Sequence, residues 1–201
     1  MSLKKPGRFR NSLAFRLTLW YAGIFAASSF VAFFLFYTLI TSVIQERTDQ
    51  ELLNQAGQFS AVLRERGIGA VEDFALFEAQ AAGEKKVFFR LLYPTGQAFF
   101  SSNMAYWKDI TVRKEAIGQL LGGARQVIET VILTARKDHV RILYTVIGPG
   151  VILQVGHSME NYTRIMDAFR GIFLVTMALL IGLASGGGWF LARRAVSGVE
   201  A

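Results

Sequence analysis

A chain of 201 residues that is 52% hydrophobic and only 18% charged is apolar for a water-soluble domain of its size, and it directs attention to membrane spans. The absence of cysteine excludes a disulfide framework and any Cys-ligated zinc or iron–sulfur centre. The formal net charge of +7 invites a nucleic-acid reading, but five basic residues and no acid lie in residues 1–16, beside a long apolar run. We read them as a topogenic anchor and expect no nucleic-acid partner.

The first element in chain order is a long helix. No charged residue occurs from Leu17 to Gln45, 29 residues, and Asn11 or Ser12 is suitable as the N-cap. The run exceeds the roughly 7–15 apolar residues of a signal peptide, and the sequence after it offers no small-x-small cleavage site, so the helix is expected to be retained. Trp20 and Tyr21 near one end and Tyr37 towards the other suit the two membrane interfaces. Beyond the run, Leu52, Ala56, Phe59 and Leu63 continue at helical spacing with charges opposite, which predicts an outward extension ending at Gly67 or Gly69.

Residues 70–86 suggest only a short helix with a loop at Gly83. The period then changes. VFFRLLY (87–93) and QAFFSSN (97–103), separated by Pro94-Thr95-Gly96, predict a β-hairpin. Residues 109–123 predict a short helix closed by Gly122-Gly123. Residues 125–133, 139–148 and 150–158 predict three further strands, with turns at 136–138 and 149–150.

The last element is a second long helix with Ser158 as its expected N-cap. Met159, Tyr162, Ile165, Met166 and Phe169 share one face. Gly171 to Ala192 is a second uncharged run of 22 residues, about 33 Å as a helix against a hydrocarbon core of about 30 Å. Within it Ala178, Gly182 and Gly186 recur every four residues, a pattern that lets membrane helices pack closely. Basic residues flank both runs on the terminal sides, so both ends are expected in the cytoplasm and the middle outside it. The resulting organisation is a basic N-terminus (1–16), transmembrane helix 1 (17–45), an extracytoplasmic domain (46–170), transmembrane helix 2 (171–192) and a tail (193–201).

Four stretches carry a resemblance. RILYTVIGPGVILQVGHSMENYTRIMDAFRG with GGGWFLARRAVSGVEA resembles bacterial sensor histidine kinases, notably the branch often labelled heavy-metal sensors. FRLTLWYAGIF is similar to the usual start of that branch, RLLYPTGQAFFSSN to the central hairpin of its PAS-like periplasmic domain, and LARRAVSGVEA to the opening of a HAMP linker. The implied fold class is an α+β membrane protein. Two transmembrane helices flank a PAS-like extracytoplasmic α/β sensor domain with an antiparallel sheet of about five strands. The implied protein is a homodimer in the bacterial inner membrane that detects an extracytoplasmic stimulus. It would relay that stimulus through helix 2 and HAMP to a cytoplasmic kinase and on to a cognate response regulator. Arg193, Arg194, Gly198 and Glu200 would form the relay, with Gly198 standing where the family usually has proline.

The phosphoacceptor histidine and the ATP-binding domain of the family are absent from residues 1–201. No catalytic residue or cofactor is therefore assigned, and ATP and Mg belong only to the kinase domain. His139, His157, Met104 and Met159 are the conceivable soft-metal ligands, but nothing in their spacing makes them converge, and no metal site is assigned. GLASGGG is not followed by Lys-Ser/Thr and is no phosphate loop. Two other readings fit the same pattern. One is the outer half of a chemoreceptor or another HAMP-containing receptor, and the other is a stand-alone two-span membrane protein. Ala201 falls within a helical pattern without a stop signal, so the chain is expected to continue.

Overall fold

The computed structural model describes residues 13–102, 104–133 and 138–197. Among them are four helices and five strands: α1 (Leu13–Arg66), α2 (Ile68–Ala82), β1 (Val87–Leu92), β2 (Ala98–Ser101), α3 (Lys114–Leu121), β3 (Gln126–Leu133), β4 (Asp138–Gly148), β5 (Val151–Ser158) and α4 (Glu160–Ser197). The chain divides into two compact units, Ser42–Ile165, and Met1–Thr41 with Met166–Ala201.

In the first unit the strands form one antiparallel sheet in the order β2-β1-β5-β4-β3. Strand β1 is buried at five of its six positions, which requires cover on both faces. Alternation sorts its side chains between two cores. Val87, Phe89 and Leu91 pack with Leu143, Leu153 and Val155 under Leu52, Ala56 and Phe59 of α1 and Val71, Ala75 and Ala79 of α2. Phe88 and Leu92 pack with Val140, Ile142, Tyr144 and Ile152 under Trp107, Ile110 and the α3 residues Ala116, Ile117 and Leu120. The sheet is therefore the middle of three layers.

The apolar stripe expected after the first uncharged run is thus a core face, with Leu63 packed at its margin. Helix α1 ends at Arg66 because Gly67 takes φ 80°, a left-handed conformation that glycine adopts at little cost. Helix α2 is longer than the short helix expected in 70–86. Its buried stripe, Val71, Ala75 and Ala79, is built largely of alanine, so its period is faint in the sequence. The hairpin turns as expected: the Tyr93 N–H donates to the Gln97 carbonyl at 2.9 Å, and Gly96 has φ 84°. Helix α3 is shorter than the expected 109–123. The stretch before it instead holds Trp107, which is fully buried, lies tilted against Phe88 and donates from Nε1 to the Glu84 carbonyl at 2.8 Å.

The start of α4 differs by one residue from expectation. Ser158 is still paired with Val140 in the sheet, and the Thr163 N–H donates to the Met159 carbonyl at 2.9 Å. Met159 is therefore the N-cap. The Ser158 hydroxyl instead donates to Asp138 Oδ2 and accepts from the Glu160 N–H at 3.1 Å.

The second unit contains the N-terminal part of α1 and the C-terminal part of α4. Their contact is aromatic: the Phe33 ring stacks on Phe173 with centroids 3.8 Å apart and on Phe169 at 5.6 Å, flanked by Phe30 and Phe36. Windows of α1 and α4 reach mean hydropathy of 2.0 and 1.9 with none of their residues buried, so both helices are long and apolar enough to cross a membrane.

Candidate functional site

Two polar features interrupt the apolar layers of the Ser42–Ile165 unit, one on each face of the sheet. On the α3 face, a polar row crosses three strands. Arg90 in β1 is directly opposite Gln154 in β5, which is directly opposite Tyr144 in β4. Arg90 Nη1 donates to Gln154 Oε1 at 3.1 Å, and Gln154 Nε2 donates to the Tyr144 hydroxyl at 2.9 Å. Gln154 and Tyr144 are fully buried. The row is closed on one side by Arg90 bonds to the Ile110 carbonyl and Met104 Sδ. On the other side the Arg113 N–H reaches the Tyr144 hydroxyl at 3.4 Å, and the Arg113 guanidinium pairs with Glu129.

The electrostatics of this row follow from burial. Every hydrogen-bond acceptor of Arg90 is neutral, and desolvation lowers its pKa while Tyr144 opposes the shift. Desolvation also pushes the Tyr144 phenol up to about 12, assisted by the nearby Glu129 carboxylate. The phenol therefore stays neutral at ordinary pH and can both accept and donate. Glu129 Oε1 is buried with no hydrogen-bond partner among the described residues.

The second feature lies on the α1 face, where β4 and β5 meet the start of α4. Side chains of His139, Arg141 and His157 share this face by alternation, and Arg141 is directly opposite His157. Arg141 clasps Asp49 of α1 through both of its carboxylate oxygens. His157 is half-buried. Desolvation lowers its pKa, Glu51 and Asp138 act to raise it, and Lys86 acts to lower it. The Ser158 N–H donates to the Lys86 carbonyl and the Met159 N–H to the His139 carbonyl, both at 2.7 Å. Strand β5 thus hands over to α4 through one residue, Met159, which is 5% exposed and bonded to β4, while Ser158 before it is bonded to the entry of β1.

The four conceivable metal ligands do not assemble. Met104 is on the α3 face beside Arg90, whereas His157 and His139 belong to the α1 face, and His139 Nδ1 lies 3.4 Å from the Thr163 hydroxyl. Among the described residues no three His, Cys, Asp or Glu side chains group as a metal site. Arg193 and Arg194 lie within α4, while Gly198 and Glu200 lie outside the described residues. Ala178, Gly182 and Gly186 are exposed on α4, and a Cβ added at Gly182 or Gly186 would meet nothing within 4 Å.

Nothing in the residue spacing points to the polar row, the Asp49–Arg141 clasp or the role of the cationic pair Lys85-Lys86. One signal was present: Arg90 is a lone charge inside the apolar strand VFFRLLY, and such a residue needs buried partners. No protein-family model matches this chain, and no curated protein is detectably similar to it.

Proposed function

We propose that the chain is the signal-input region of a membrane-spanning receptor of the sensor histidine kinase kind. In this reading α1 and α4 cross the bacterial inner membrane with both termini in the cytoplasm. The Ser42–Ile165 unit is a PAS-like domain outside it, and the receptor works as a homodimer. Residues after α4 pass the signal through a HAMP unit to a kinase and its response regulator. Support for the membrane assignment is energetic. Side chains such as Phe34, Leu35, Leu174 and Leu183 are more than half exposed, and each costs about 1.5–3 kcal/mol in water relative to burial.

The observation that carries the signalling reading is the joint at Met159. A change in the sheet has one buried residue in which to dissipate before it reaches α4, the helix that also bears the second apolar run. A ligand shifts such a device only by binding two arrangements of the sheet unequally. The five-stranded antiparallel sheet with helical cover on both faces supports the PAS-like assignment.

The test has two arms. Alkaline phosphatase fused after Gly83 should be active; an inactive fusion alongside an active cytoplasmic reporter would overturn the orientation. Residues 1–201 joined to the HAMP and kinase portions of a characterised sensor kinase should give a measurable autophosphorylation output. A Gly-Gly insertion between Met159 and Glu160 should shift that output. An output indifferent to the insertion would sink the relay.

A further inference from the structure

The start of α4, the end of β5, the entry to β1 and one turn of α1 enclose a cleft of about 530 Å³. Three cations line it: Lys85, Lys86 and Arg164. Its one carboxylate, Glu160, is bound to Arg164 four residues on along α4. Neither Lys85 nor Lys86 forms an ion pair among the described residues, and Lys85 stands over the Tyr106 ring, 5.1 Å from its centroid. Both lysines are exposed, so their ammonium groups can reorient towards a guest. His157, which also lines the cleft, is held towards its neutral form by burial and adds no fixed charge. The cleft is therefore short of negative charge by two unpaired ammonium groups.

Its remaining wall is mixed. Ile44 and Met159 supply an apolar part beside Thr48, Ser158, Asn161 and Tyr162, and Ile44 belongs to the first uncharged run, one residue before its end at Gln45. Thr48 comes three residues after that run, and Arg164 seven before the second run begins at Gly171. At 1.5 Å per helical residue these are about 5 and 10 Å of helix, against a headgroup layer of about 5–8 Å. Cations beside an apolar patch suit an amphiphile with an anionic head better than a freely soluble ion.

We propose that this cleft binds a phosphate ester, with the headgroup of an anionic phospholipid as the form that matches the apolar part of its wall. The inference rests on α1 and α4 being membrane helices, and it adds a lipid input at the joint through which the sheet drives α4. A headgroup held between Lys85-Lys86 and Arg164 would bridge the β1 entry to the first turns of α4, and it would favour whichever arrangement keeps the two together.

The test uses the whole chain in neutral detergent micelles, with native mass spectrometry as the readout for phosphatidylglycerol and phosphatidylcholine, and ³¹P line broadening for inorganic phosphate. Phosphatidylglycerol should bind in preference to phosphatidylcholine. The paired substitution Lys85→Ala/Lys86→Ala should weaken it about 10-fold or more, as expected for two lost surface cations. Lys85→Arg/Lys86→Arg should retain binding, and Lys108→Ala/Lys114→Ala, which removes equal charge from elsewhere on the same unit, should leave it unchanged. Inorganic phosphate that broadens, and does so less in the Lys85→Ala/Lys86→Ala protein, would support the site with soluble phosphate as its ligand. Equal binding of phosphatidylcholine, or equal loss in the Lys108/Lys114 control, would overturn the proposal. So would indifference of both ligands to the alanine pair. The alkaline phosphatase fusion reports on orientation independently, so a failed cleft and a failed topology give different results.

Discussion

Asp49 and Arg141 are 92 residues apart in sequence, yet both carboxylate oxygens of Asp49 accept from Arg141, Oδ1 from Nε at 2.7 Å and Oδ2 from Nη2 at 2.8 Å. This clasp is a polar fastening between α1 and the sheet, and it sits one strand from His157. The two side chains are 18% and 24% exposed, so the pair is shielded more than an ordinary surface ion pair. Arg141→Ala or Asp49→Asn should lower stability by about 1 kcal/mol after allowance for solvent screening. In a double-mutant cycle the pair should show a coupling of similar size, measured by thermal melts of the whole chain in detergent. Additive effects would show that the clasp contributes nothing.

Gly156 lies directly opposite Phe88 in the β1–β5 pairing, and a Cβ at that position would overlap the Phe88 ring. Phe88 cannot swing away freely, because Trp107 covers it with ring centroids 5.1 Å apart. Gly156→Ala should therefore cost about 1–3 kcal/mol through overpacking. Combined with Phe88→Leu, it should cost less than the sum of the two single changes. A Gly156→Ala protein with an unchanged melting temperature would show that the layer yields more readily than its packing implies.

Charging His157 should destabilise the Ser42–Ile165 unit. Burial places its folded-state pKa below the ordinary 6.5, so the unfolded chain binds the extra proton first as pH falls. Stability is therefore full above about pH 6.5 and declines as pH drops through 6.5 towards the folded value. The charges near the imidazole pull in opposite directions, with Lys86 disfavouring the cation and Glu51 and Asp138 favouring it, while Arg141 opposite is paired with Asp49. His157→Gln should flatten this part of the pH profile, as read by denaturant midpoints between pH 5 and 8. A slope that persists unchanged in the variant would assign it to other groups.

The pattern of apolar residues made most of this architecture legible. Leu52, Ala56 and Phe59 announced a buried helix face, and Pro94-Thr95-Gly96 announced the hairpin. The alternating runs after Gly123 announced three strands. Strand order and register were not legible, because short strands of similar composition pair equally well on paper. Without register, Arg90, Gln154 and Tyr144 are scattered residues, and only pairing across β1, β5 and β4 makes them one row. The same holds for Asp49 and Arg141, whose charges look like any solvated pair until α1 is laid across the sheet. His157 and Met159, two residues apart in sequence, both lie at the β5–α4 joint. The fold sends Met104 to the opposite face, where it accepts from Arg90.

The polar row offers the sharpest separation of outcomes. Gln154 accepts from Arg90 and donates to Tyr144, and it is fully buried, so its amide links a guanidinium to a phenol. Gln154→Leu removes both bonds and leaves Arg90 with the Ile110 carbonyl and Met104 Sδ, and Tyr144 with the Arg113 N–H, which should cost about 1–3 kcal/mol. Gln154→Glu keeps the shape and supplies Arg90 with a carboxylate. The row survives only if Tyr144 reverses and donates, which its neutral phenol, titrating at about 12, allows at pH 8. Gln154→Glu should therefore be the milder change at pH 8. Its advantage should fade as pH falls and the introduced carboxyl takes up a proton, because the ion pair with Arg90 then disappears. Melting temperatures of the two variants at pH 8 and pH 5 decide the matter. If Gln154→Leu were the more stable at pH 8, the bonds Arg90 already makes to the Ile110 carbonyl and Met104 Sδ would suffice to satisfy it.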